Sequence, residues 1–205
     1  MKGWFVFLKI GGGKKMGECY MDYSQTFHMI LGECEESLES VRKEDVELLV
    51  NEILRARKVF FIGVGRVMLS LEAMAKRLAH CGIDTVCVGQ ITEPAITPDD
   101  VLIAASGSGE SLITVGIARK AKSLGVRVVM IGSNPDSTLA GLADLLVRIP
   151  VRTKLNRADE ISSEQPMTSL FEQTLLLFGD TVAKLIIEKM NLDMDGLWKC
   201  HANLE

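Results

Sequence analysis

The residues of this 205-residue chain best suited to chemistry sit in two glycine-punctuated loops. Ser106-Gly107-Ser108-Gly109-Glu110-Ser111 spaces three hydroxyls along a loop whose glycines let a ligand approach the backbone closely. If a helix follows, its leading amides are unpaired, and amides and hydroxyls together at a helix N-terminus suit a phosphate. Gly63-Val64-Gly65-Arg66 is the second loop. Neither reads as a nucleotide site. No Gly-Lys-Ser/Thr follows the serine loop to hold a triphosphate and magnesium, and Gly63-x-Gly65 lacks the third glycine of a dinucleotide fingerprint. In isolation Ser-Gly-Ser-Gly reads equally well as a flexible turn. Its place directly after a buried apolar run, with a second glycine turn expected next door, favours a phosphate cradle.

The elements that must position these loops are legible from periodicity. Two amphipathic segments, about 23 to 41 and 43 to 57, space their apolar residues as helices do. Five short apolar runs follow: Val59 to Ile62, Thr85 to Val88, Val101 to Ala105, Val126 to Ile131 and Leu145 to Ile149. They read as parallel strands buried on both faces, joined by right-handed crossovers and closed by a long helix from about Met167 to Met190. The expected fold is α/β, a doubly wound five-stranded parallel sheet with flavodoxin-like order 2-1-3-4-5. In that order the first and third strands are neighbours, so both glycine loops fall at adjacent carboxyl ends, where open sheets bind ligands. Pro150 to Pro166 is the longest irregular stretch.

Composition narrows the partners. With 47% hydrophobic and 24% charged residues the chain has the makings of a packed core. A formal charge of -4 supplies no basic stripe for nucleic acid, and no apolar run reaches membrane-spanning length. Cys19, Cys34, Cys81, Cys87 and Cys200 are odd in number and form no Cys-x-x-Cys pair, which points to a reducing cytoplasm rather than a disulfide framework or zinc knuckle. Residues 1–22 read as a leader outside a single domain over 23–205. Its apolar core is too short and wrongly flanked for a signal peptide, and Met16 or Met21 are alternative translation starts.

Four segments together resemble the 6-phospho-3-hexuloisomerases of the sugar isomerase (SIS) family. They are Gly63-Val64-Gly65-Arg66, the serine loop, Gln165-Pro166-Met167-x-Ser169-Leu170-Phe171-Glu172-Gln173-Thr174, and the ending His201-Ala202-Asn203-Leu204-Glu205. The Gly/Ser loops are common to the superfamily; the Pro-Met-x-Ser-Leu-Phe-Glu-Gln segment and the His-x-Asn-Leu tail are narrower. The resemblance implies interconversion of D-arabino-hex-3-ulose 6-phosphate and D-fructose 6-phosphate in formaldehyde fixation, with no metal or organic cofactor. Moving a ketone between C3 and C2 needs a base held against the sugar and donors for the enediolate. By resemblance Glu172 is that base, with Glu164 a weaker alternative.

His201 is the second catalytic candidate, since imidazole can move protons between sugar oxygens near neutral pH. The resemblance implies that its tail reaches a neighbouring subunit's cleft, hence a homo-oligomer, a dimer or tetramer. The expected substrate-binding set is Gly65, Arg66, Ser106, Gly107, Ser108, Gly109 and Ser111. Arg66 suits either the substrate or an acidic neighbour. His80, at a helix end, is expected to bond the last carbonyls, and His28 to be structural likewise.

Two departures stand out. Val67-Met68 replaces a usual Ser-Gly, so either Ser70 supplies the missing hydroxyl or the sugar is held differently. Gly89-Gln90-x-x-Glu93-Pro94 replaces Gly-Glu-x-x-Thr-Pro, altering charge at the expected mouth of the site. Two other functions stay open: a different phosphosugar isomerase, such as an arabinose 5-phosphate isomerase, and a non-catalytic phosphosugar sensor.

Overall fold

The five apolar runs pair into one sheet in a computed structural model that describes residues 20–204. The predicted leader therefore falls, up to residue 19, outside the described residues. Strands β1 (Val59–Ile62), β2 (Thr85–Cys87), β3 (Val101–Ala105), β4 (Arg127–Gly132) and β5 (Leu145–Arg148) lie in the order β2-β1-β3-β4-β5. Every pairing is parallel, as expected.

Because side chains alternate across a strand, the sheet divides the core in two. Val59, Phe61, Ile103 and Ile131 face one layer, made by α1 (Tyr23–Glu39), α2 (Lys43–Arg55), α3 (Arg66–His80) and α6 (Ser169–Lys189). Phe60, Leu102, Val128 and Met130 face the other, made by α4 (Leu112–Ser123) and α5 (Thr138–Leu142). Residues 88–100 join β2 to β3 without a helix.

Local chemistry explains the helix boundaries. Asp22 starts α1 with a capping box, accepting from the Gln25 amide at 2.8 Å while Gln25 accepts from the Asp22 amide at 2.9 Å. In α6, Phe171, Leu175, Phe178, Val182 and Ile186 recur every three or four residues and are buried. Each such side chain contributes about 1.5–3 kcal/mol of burial, enough to fix the rotation of α6 and hence the direction of its other faces. Among the described residues no helix is long and apolar enough to cross a membrane.

Candidate active site

α3 leaves β1 on one face and α4 follows β3 on the other, so the carboxyl ends of these paired strands part. A cleft of about 690 Å³ opens there, a size suited to a small ligand. Ser106, Gly107, Ser108 and Ser111 form one wall and Glu172 stands in another. The sequence places these groups 61 to 66 residues apart; the fold brings them to one cavity.

The serine loop is internally braced. The Ser106 and Ser111 hydroxyls lie 3.0 Å apart, and the Gly109 amide donates to Ser106 Oγ at 3.1 Å. Gly109 has φ +68, and a Cβ there would overlap the Ser137 side chain, so only glycine fits. It shapes the loop but does not line the cleft. Ser111 is the N-cap of α4 yet makes no side-chain cap bond, leaving the leading amides of α4 without that partner.

Glu172 lies in the first turn of α6 with 12% of its side chain exposed. Thr168 Oγ1 donates to its Oε1 at 2.9 Å, and Arg66 Nε contacts Oε2. Of the two tasks open to Arg66, the acidic neighbour is the one observed. Arg66 itself, with Gly65, lies outside the cleft lining. Gly65 has φ +61 and ψ -134 as the N-cap of α3, a conformation for which glycine is suited and which launches the helix with Arg66 beside Glu172.

The structure corrects three expectations. Ser70 does not replace the missing hydroxyl: it is buried, and its Oγ donates to the Glu172 carbonyl at 2.7 Å, tying α3 to α6. Val67 does line the cleft, so at this point the wall is apolar. Gln90 and Glu93 do not reach the mouth; they fold back on their own turn, accepting from the Cys87 amide at 3.4 Å and the Gly89 amide at 2.5 Å. His80 bonds no helix carbonyl. Its Nδ1 is 3.5 Å from Arg77 Nη1 and its Nε2 is buried without a hydrogen bond. Burial, then Lys76, Arg77 and His201, hold the His80 imidazole below its ordinary range.

His201 is not brought to the cleft of its own chain. Its ring stacks on His80 at 5.2 Å, at the far end of α3 from Arg66. That helix has 15 residues and is about 21 Å long. Glu164 is exposed and also absent from the lining, and its amide donates to Glu33 Oε1 at 2.7 Å. His28 is exposed beside Phe27.

Sequence reasoning missed the third wall. Arg152, Thr153, Lys154 and Asn156, from the irregular stretch after β5, line the cleft with Gln165. Their position after a strand's carboxyl end was the available signal. The rim beside them is latched by α1, whose Glu33 Oε2 accepts from Ser163 Oγ at 2.7 Å and Gln165 Nε2 at 2.9 Å. Burial alone would raise the Glu33 carboxyl, but the Glu164 amide, Ser163 and Gln165 outweigh it and hold it below its ordinary range.

The switch point of the doubly wound sheet thus sets a hydroxyl-and-amide loop opposite a carboxylate in one cleft. Residues 52–180 match the SIS domain family, and the chain belongs to that family. Within it, the similarity runs to 3-hexulose-6-phosphate isomerases. That of Bacillus subtilis is 39% identical over 176 residues, 86% of this chain and 95% of its own length. That of Mycobacterium gastri is 36% identical over 195 residues, 95% of this chain and 96% of its own. The solved structure of a Methanococcus jannaschii protein, for which a 3-hexulose-6-phosphate isomerase function has been inferred, has TM-score 0.77 and 30% identity, covering 88% of this chain and 99% of that one.

Proposed function

We propose that this chain is a 6-phospho-3-hexuloisomerase, interconverting D-arabino-hex-3-ulose 6-phosphate and D-fructose 6-phosphate in formaldehyde fixation. The observation that carries the reading is one cleft holding both the serine loop and the Glu172 carboxylate. The phosphate sits in the loop, which fixes the sugar carbons relative to α6. From the 3-ketose, Glu172 removes the C2 proton to give the 2,3-enediolate and returns a proton to C3, while a proton passes from O2 to O3. The Thr168 and Arg66 contacts orient the carboxylate for both transfers.

His201 is the proposed carrier of the oxygen protons, supplied by a neighbouring copy of the chain in a homo-oligomer. Support comes from its placement beside His80, far from its own cleft, and from apolar side chains left exposed at Tyr23, Leu69, Leu112 and Met167. Free thiols at Cys34, Cys81, Cys87 and Cys200 support a reducing, cytoplasmic setting.

The test is to incubate the protein with D-fructose 6-phosphate in heavy water and follow deuterium at C3 and hexulose phosphate formation by NMR. Wild type is expected to exchange and isomerise, and Glu172→Gln to lose about 100- to 10,000-fold of both rates. Binding of fructose 6-phosphate with neither exchange nor product would replace the isomerase by a phosphosugar sensor.

A further inference from the structure

We propose that the loop after β5 completes the phosphate site, with Lys154 as the counter-cation and Glu160 as the positioning residue that holds it there. This rests on the reading of the cleft as a phosphosugar site.

The need for a cation follows from charge. A phosphomonoester carries about -1.5 to -2 at pH 7. The serine loop offers hydroxyls and amides, which satisfy oxygens without cancelling that charge, and its one ionisable member is the acidic Glu110. Glu110 is turned to the Thr138 amide at 2.7 Å, at the start of α5. Among the described residues lining the cleft, the cations are Arg152 and Lys154. Arg152 Nη1 reaches the Ser163 carbonyl at 3.4 Å. The Lys154 ammonium makes no hydrogen bond or ion pair among the described residues. The Thr138 amide and hydroxyl, with a smaller contribution from Lys154, hold the Glu110 carboxyl below its ordinary range.

What fixes Lys154 there is one carboxylate. Glu160 Oε1 accepts from Thr153 Oγ1 at 2.8 Å and Ser133 Oγ at 3.3 Å, and Oε2 accepts from the Thr153 amide at 3.0 Å and the Arg157 amide at 3.1 Å. These bonds close the segment from Thr153 to Glu160 on itself and pin it to the end of β4. Thr153 is buried against the serine loop, where a Cβ on Gly107 would lie 3.3 Å from Thr153 Cγ2. Arg157 and Arg148 brace the outer side through Asp136 at 2.7 Å and Asp159 at 2.5 Å. Thr153 is thus immobilised beside the cradle, and Lys154, the next residue, is carried over it.

The experiment measures inorganic phosphate and fructose 6-phosphate binding by calorimetry, and KM and kcat for the isomerisation, in the full chain. Lys154 is exposed, so its variants keep the fold. Lys154→Met is expected to weaken both ligands roughly tenfold or more and to raise KM by more than any fall in kcat. Lys154→Arg restores most of that affinity, and added salt weakens wild-type binding more than that of Lys154→Met. Glu160→Gln raises KM several-fold, and Glu160→Ala raises it further. Unchanged phosphate affinity in Lys154→Met overturns the proposal, as does a loss that Lys154→Arg fails to restore. A wild type that binds phosphate through Lys154 but turns over no hexulose phosphate keeps this site and rejects the proposed reaction; normal turnover with an indifferent Lys154 does the reverse.

Discussion

Glu172 is held at three points: Thr168 and Arg66 take its two carboxylate oxygens, and Ser70 takes its backbone carbonyl. In its proposed role as a base serving two adjacent carbons, Glu172 gains from such restraint, because sub-ångström errors in placement carry large rate penalties. Removing the Arg66 contact leaves the carboxylate in the cleft with Thr168 as its one remaining side-chain restraint among the described residues. Arg66→Met is therefore expected to lower kcat about 10- to 100-fold while inorganic phosphate, bound at the serine loop, keeps its affinity. Steady-state kinetics beside calorimetry checks this, and equal losses in both would place Arg66 on the phosphate instead. Val67 adds an apolar surface to the cleft, so a sugar hydroxyl facing it has no partner there.

At the scale of elements, the seam between α3 and α6 decides the geometry of Glu172, the proposed base. Along it Arg66 meets Glu172, Ser70 meets the Glu172 carbonyl, Met74 packs on Gly179 and Arg77 lies 3.5 Å from Asp180. Gly179 is what lets the two helices close: a Cβ there would stand 2.9 Å from Met74 Cβ. Valine at that position gains a few tenths of a kcal/mol of helix propensity over glycine but overpacks the seam at a cost of about 1–3 kcal/mol, so the cost prevails. Gly179→Val should lower the urea midpoint and reduce kcat together, since prising the helices apart also separates Arg66 from Glu172. A stability loss with kcat intact would show that the seam does not govern the base.

For the whole molecule, the clearest expectation concerns assembly. Glu172 and His201 lie near opposite ends of α3, so one chain cannot bring both to one sugar in this arrangement. If copies exchange these groups, light scattering should give at least twice the 22.5 kDa chain mass. Glu172→Gln and His201→Asn homomers should each be nearly inactive, yet regain activity when co-refolded, because mixed assemblies contain sites with one intact copy of each residue. No recovery on mixing, with mixed assemblies verified by mass, would remove His201 from the neighbour's site.

Much of this was legible in the chain alone. Strand order follows from burial periodicity, and glycine and serine after a buried strand, with a narrow motif resemblance, pointed to Ser106 to Ser111 and to Glu172, which the fold sets in one cleft; all are properties carried by neighbours in sequence. The third wall was not legible. Thr153, Lys154 and Glu160 sit in an irregular stretch with no period, and only the fold sets the Glu160 carboxylate against Thr153, Ser133 and the Arg157 amide. Ser70 shows the same limit: its position near Val67 suggested a sugar contact, but the rotation of α3 imposed by core packing turned its hydroxyl onto α6. Sequence determined which groups reach the carboxyl edge of the sheet, because strand pairing carries them there. Tertiary structure decided which of them face the ligand, because that depends on how helices rotate and loops close against residues distant in the chain.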